Sequence, residues 1–93
     1  MERAIILEPA DNVATALGDL KTGEVIALRI ADKRVSVEVA EEIPFGHKFA
    51  LADMAAGSDV VKYGRCIGVT TSAIRKGAHV HVHNIRGKRG GVR

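Results

Sequence analysis

The sequence predicts a small, mostly β protein, and three observations carry that prediction. Its 46% hydrophobic content contains only 3% aromatics, so the core falls to Val, Ile, Leu and Ala, whose branched members favour strands. Its apolar runs are short and are broken by Gly, Pro, Asp and Asn, the residues of turns. A short pattern (an apolar residue, two others, Gly, two others, an aliphatic residue) occurs at Leu20–Gly23–Ile26, Met54–Gly57–Val60 and Ile74–Gly77–Val80. Each copy leads into a β-rich run, which reads as a glycine turn feeding a strand. Closure into a compact barrel-like or folded-ribbon form is favoured over a flat sheet because it hides exposed edges.

The elements follow in order. Residues 3–8 read as a first strand. Asp11 or Asn12 is placed to cap a short helix running to Leu17, with Val13, Ala14 and Leu17 on one side, so one or two short helices are expected. Residues 24–30 and 34–39 form a hairpin across Ala31-Asp32-Lys33. In its second arm Val35, Val37 and Val39 face inward, and Ser36 and Glu38 outward. Pro44 excludes helix from the Ile43-Pro44-Phe45-Gly46 turn. Short strands are expected over 48–51, 60–63, 67–71 and 79–84. One domain spans 1–85, and 86–93 is a glycine-rich basic tail, a docking arm or linker.

A chain of 93 residues forms a single small core. Its net charge of +3 lies partly in Arg86, Lys88, Arg89 and Arg93, while the remainder mixes both signs. The lack of stacking aromatics argues against a single-stranded nucleic-acid binder. No apolar run approaches membrane-spanning length, and the first residues carry too short an apolar run for a signal peptide. A lone Cys66 excludes an internal disulfide and a CxxC site, and reads as a small buried hydrophobe. A cytoplasmic protein that binds neither nucleic acid nor membrane is the expectation, with a homo-oligomer allowed.

The chemistry-bearing residues concentrate near the end of the chain, in His79-Val80-His81-Val82-His83-Asn84. On a strand, side chains alternate between faces, so the histidines share one face and the valines the other. His79 and His81 then lie about 6–7 Å apart, within reach of one metal ion, whereas His83 lies about 13 Å from His79. His47, from the Gly46-His47-Lys48 turn, completes a three-ligand set that leaves a position for water or substrate. The alternative is a row of solvated or interface histidines, since His-x-His is not a specific motif. Lys48 is placed to pair with a carboxylate. Lys62 and Tyr63 should face opposite ways, with Tyr63 packed. Glu41 and Glu42 read as a solvated pair, with Glu42 as a possible base. The chain has no GxGxxG, P-loop or GxSxG motif.

Taken together, Asp11-Asn12-Val13-Ala14 with Ala16-Leu17, Ile43-Pro44-Phe45-Gly46-His47-Lys48-Phe49-Ala50-Leu51, Val61-Lys62-Tyr63-Gly64, Ile67-Gly68 and His79-Val80-His81-Val82-His83-Asn84 resemble the altronate dehydratase family. The likeness is to its small N-terminal SAF-type module, and it runs in order along nearly the whole chain, stopping at the tail. The same module resembles the small subunit of sulfolactate sulfo-lyase. The resemblance implies a β-clip fold and a carbon–oxygen lyase that dehydrates a sugar acid to a 2-keto-3-deoxy acid. It implies a divalent metal, Fe2+ or Mn2+, for which a large catalytic subunit or domain is the alternative main holder, and a module inactive alone. Under this reading His47, His81 and His83 are catalytic, and Lys48, Lys62 and Asn84 bind substrate. His79, His81 and His47 ligate metal. The rivals are a sulfo-lyase small subunit, against which residues 11–17 weigh, and a non-catalytic module that binds a sugar acid or a partner.

Overall fold

A computed structural model of the chain describes residues 2–30 and 32–87. Among these it contains nine strands and no α-helix. They are β1 (Ala4–Ile5), β2 (Val13–Ala16), β3 (Val25–Ile30), β4 (Lys33–Glu38), β5 (Lys48–Ala50), β6 (Asp59–Lys62), β7 (Arg65–Thr70), β8 (His79–Val80) and β9 (Ile85–Arg86). They pair into three antiparallel sheets, β1-β2-β5-β8, β3-β4 and β6-β7-β9. Most of the tail expected over 86–93 lies outside the described residues.

The four-stranded sheet is the middle layer, and the pleat divides its side chains between two cores. Register pairs Ala4 with Ala16 and Ala14 with Phe49, and residues opposite each other in antiparallel strands share a face. On that face Ala4, Ala14, Ala16 and Phe49 join Ile26, Leu28, Val37 and Val39 of the β3-β4 hairpin in one buried cluster. Val13, Ala50 and Val80, on the other face, pack with Met54, Val60 and Ile74. The expected alternation in β4 holds: Val37 and Val39 are buried while Ser36 and Glu38 are exposed.

The glycine pattern is a structural device, and it occurs four times. Gly23, Gly57 and Gly77 all have φ between +83° and +88°. So does Gly46, in a fourth copy, Ile43–Gly46–Phe49, which ends on an aromatic instead of an aliphatic residue. The apolar residues at both ends of every copy are buried. The first residues of the copies bridge in pairs, Leu20 with Ile43 and Met54 with Ile74. An Asp that precedes one member of each pair accepts a backbone N–H two residues beyond the other member: Asp19 from Phe45 N and Asp53 from Lys76 N. Two copies of the same paired turn thus cap the two cores.

The short helix expected from Asp11 to Leu17 is instead strand β2. Asp11 and Asn12 do not cap a helix; their side chains reach the β6-β7 hairpin. Asp11 Oδ1 accepts from Gly64 N at 2.8 Å, Asn12 Oδ1 from Val61 N at 2.8 Å, and Asn12 Nδ2 donates to Asp59 O at 2.9 Å. Asx side chains that find backbone partners outside a helix draw the chain away from it. Tyr63 and Gly64 form that hairpin's two-residue loop, both at positive φ (57° and 72°), as a type I′ turn requires. Tyr63 is therefore exposed, not packed, and the Lys62 ammonium sits 4.7 Å from its ring centroid instead of facing away. Cys66 is likewise exposed and not part of a core.

Candidate functional site

Two segments bring the histidines together. The turn before β5 is anchored to β2: Gly46 N donates to Ala16 O at 2.9 Å, and Ala16 N to His47 O at 2.8 Å. Across the sheet, β8 lies beside β5 with Phe49 opposite His79. His47 lies two residues before Phe49 and His81 two residues after His79, so the alternation aims all three rings to the Phe49 side.

The rings stack at the sheet's edge. The His47 and His81 centroids are 4.0 Å apart at 15° and those of His47 and His79 5.0 Å apart at 22°. His79 and His81 lie 5.5 Å apart at 9°. His47 Nδ1 and His79 Nε2 are 2.8 Å apart, so one carries a hydrogen and the other accepts it. His81 Nδ1 is buried and, alone among buried side-chain N and O atoms of the described residues, has no hydrogen-bond partner.

His83 departs from the strand expectation. Strand β8 ends at Val80 and the chain turns through 81–84. Asn84 makes that turn: Oδ1 accepts from His81 N at 2.9 Å, Nδ2 donates to His79 O at 2.8 Å, and its own N–H donates to His81 O at 3.0 Å. The expected separation of about 13 Å along an extended strand is thereby abolished. The His83 ring lies 5.0 Å from that of His79, tilted by 39°. Asn84 is buried, and its amide is occupied in holding the histidine turn.

Electrostatics favours the neutral forms of His79 and His81. Burial lowers the pKa of His79, helped by His83, His47 and His81, with Glu41 opposing. Burial also lowers that of His81, helped by His47, Lys48 and His83. Glu41 accepts the His79 backbone N–H at 3.1 Å through Oε2, so it is not simply a solvated carboxylate. Lys48 lies opposite Val80, on the reverse face of β5 from Phe49, yet its charge reaches His81 at the rim. Its own pKa is lowered by burial and then by Lys62. Positive charge beside these imidazoles comes from Lys48, with Lys62 near enough to repel it, and such charge attracts anions. An open cleft of about 360 Å³ adjoins the rim, lined in part by Glu41, Arg75 and Asn84. Glu42 instead lines a separate cleft with Asp19, Leu20, Lys21 and Pro44.

Sequence comparison identifies relatives of the chain. Residues 2–88 match the altronate/galactarate dehydratase SAF domain. The chain belongs to that family. Its small antiparallel sheets accord with the SAF β-clip. The altronate dehydratase of Escherichia coli is 42% identical over 82 residues, which are 88% of this chain and 16% of that enzyme. The (2R)-sulfolactate sulfo-lyase subunit alpha of Chromohalobacter salexigens is 43% identical over 72 residues, 77% of this chain and 73% of that subunit. Galactarate dehydratase (L-threo-forming) of Escherichia coli is 37% identical over 78 residues, 82% of this chain and 14% of that enzyme. The chain thus spans about one sixth of the dehydratases, and its relatives are lyases. The name subunit alpha implies a further subunit in the sulfo-lyases. Among the described residues no helix is long and apolar enough to cross a membrane.

Proposed function

We propose that this chain is the small SAF module of a carbon–oxygen lyase, dehydrating a sugar acid of the altronate type to a 2-keto-3-deoxy acid together with a large catalytic subunit or domain. The observation that carries this reading is the gathering of four imidazoles, with the charge of Lys48 beside them and Lys62 near enough to repel it. Dehydration of a hydroxy acid removes the proton α to the carboxylate and expels the β hydroxyl as water. It needs a base, an acid, and cationic or hydrogen-bonding groups that stabilise the enediolate. Lys48 and Lys62 hold the carboxylate. His83, tilted out of the stack, transfers a proton to or from substrate. His47, hydrogen-bonded to His79, and His81, stacked on His47, share that task.

The family resemblance also implies a divalent metal, and the donor set of His47, His79 and His81 fits one. Bound there, a metal would polarise a substrate oxygen as a Lewis acid. The protein's compartment is proposed to be the cytoplasm.

A second reading, the small subunit of a sulfolactate sulfo-lyase, draws support from the alignment over 73% of an alpha subunit. Residues 11–17, which favour the dehydratase by resemblance, do not oppose it strongly, because Asp11 and Asn12 serve the β6-β7 hairpin. The test is to copurify the chain with its large partner and assay the complex with altronate, galactarate and sulfolactate. Turnover of a sugar acid that disappears when this chain is withheld is the expected result. Release of sulfite from sulfolactate alone would select the second reading. A complex that turns over sugar acids equally well without this chain would overturn the catalytic reading.

A further inference from the structure

We infer that Phe45, Leu17 and Val82 form the apolar face by which this chain docks onto the large catalytic subunit or domain, an inference that rests on the lyase reading above. All three side chains stand out to water, Phe45 at 66%, Leu17 at 44% and Val82 at 78% exposure. Single exposed apolar side chains are ordinary on a soluble domain. These three differ because they gather where two segments meet. Phe45 lies two positions before His47 and Val82 directly after His81, and the His47 and His81 rings are 4.0 Å apart. Gly46 N donates to Ala16 O at 2.9 Å, so the backbones of Phe45 and Leu17, each one residue from that bond, are neighbours.

The backbone also fixes all three in place. Phe45 N donates to Asp19 Oδ1 at 2.9 Å and Leu17 N to Arg3 O at 2.8 Å. Asn84 fastens the turn that carries Val82, through His81 N at 2.9 Å and His79 O at 2.8 Å. A face held ready in this way loses little freedom on binding. Interfaces draw most of their energy from a few central anchors and are enriched in aromatic side chains, which gives Phe45 the leading part.

The occupant follows from how much of its relatives this chain covers. It aligns with 16% of the altronate dehydratase and 14% of the galactarate dehydratase of Escherichia coli, and its sulfo-lyase relative is named subunit alpha. The greater part of those dehydratases thus has no counterpart in this chain. That remainder suits the face better than a second copy, because it alone brings new groups to the histidine stack. Docking there also shuts water out of the stack, which strengthens the electrostatic interactions within it. Val25 supplies an internal contrast. It is 64% exposed, but it stands on the β3-β4 hairpin and lines a different cleft with Ser36 and Asp53.

The test is to titrate the immobilised large partner with the 93-residue chain and its variants, each checked for folding by its urea midpoint. Phe45→Asp and Val82→Asp should each weaken binding about 30-fold or more, and Val25→Asp should leave it unchanged. A complex that turns over sugar acid yet tolerates both Asp variants would overturn this inference and spare the lyase reading. Failure of the unaltered chain to bind the large partner at all would sink both. Self-association of the chain that Phe45→Asp abolishes, with the large partner still bound, would assign the face to a second copy instead. Should the Asp variants fail to fold, hydrogen exchange of the unaltered chain decides. The large partner must slow the amides of residues 45–47 and 81–83; slowing confined to the β3-β4 hairpin would refute the face.

Discussion

Replacing Gly77 by Ala tests whether the paired glycine turns hold the two cores in place. Gly57 and Gly77 share nearly the same backbone, at φ +83° and +87°, but their surroundings differ. A Cβ at Gly57 meets nothing within 4 Å, whereas one at Gly77 would lie 2.0 Å from Glu38 O and 3.2 Å from Ala40 N. For Gly57→Ala the cost is the left-handed backbone alone, about 1–2 kcal/mol. For Gly77→Ala the same cost applies, and the two segments must also part by more than about 1 Å to reach an ordinary C···O contact of about 3.3–3.6 Å.

That movement breaks the hydrogen bond from Ala40 N to Gly77 O, 2.9 Å long, worth about 1 kcal/mol. Overpacking adds a further ~1–3 kcal/mol, so Gly77→Ala should cost about 3–6 kcal/mol. In a domain of this size each kcal/mol lowers Tm by about 4–8 °C. Urea titrations of both variants, followed by far-ultraviolet circular dichroism, give the comparison. Equal destabilisation of the two variants, or a Gly77→Ala cost below about 2 kcal/mol, would refute the reasoning.

Two other outcomes follow from the histidine turn. Asn84→Ala removes two side-chain hydrogen bonds, to His81 N and His79 O; it should cost about 1–3 kcal/mol and separate the His79 and His83 ring signals from each other by NMR, while unchanged stability would contradict its role in the turn. In chelator-treated protein, the depressed pKa values of His79 and His81 mean that the unfolded chain binds more protons just below the ordinary value of 6.5. Stability should therefore be complete above about pH 6.5 and fall as pH drops below it; a urea midpoint that rises on acidification to about pH 5.5 would contradict this, and His81→Gln should flatten the curve.

Period-two alternation made β4 legible because Val35, Val37 and Val39 have a single core to face. The glycine turns were legible because a positive φ leaves a residue signature, yet the copy at Gly46 is masked by Pro44 within it and by aromatic Phe49 at its end. Asp11 and Asn12 misled because their short-range signal is that of a helix cap, while their partners lie 47 to 53 positions away. Nothing local announces such contacts. The structure brings the rings of His47, His79 and His81 together, as expected from the two-residue spacing of His79 and His81 with His47 joining from another segment. His83 was misplaced because a period of two assumes that the strand continues, and Asn84 folds it back. Tyr63 and Cys66 were assigned to packing by residue type, but a two-residue hairpin loop leaves Tyr63 no core to enter.

The most direct test of the account is the steady-state rate of sugar-acid dehydration by the complete complex carrying His81→Gln in this chain, beside a Val25→Ala control on an exposed hairpin position. The account predicts a fall in kcat/KM of at least ~100-fold for His81→Gln, with Val25→Ala unchanged and both variants still bound to the large partner. Full activity in the His81→Gln complex would contradict the claim that this rim belongs to the lyase centre.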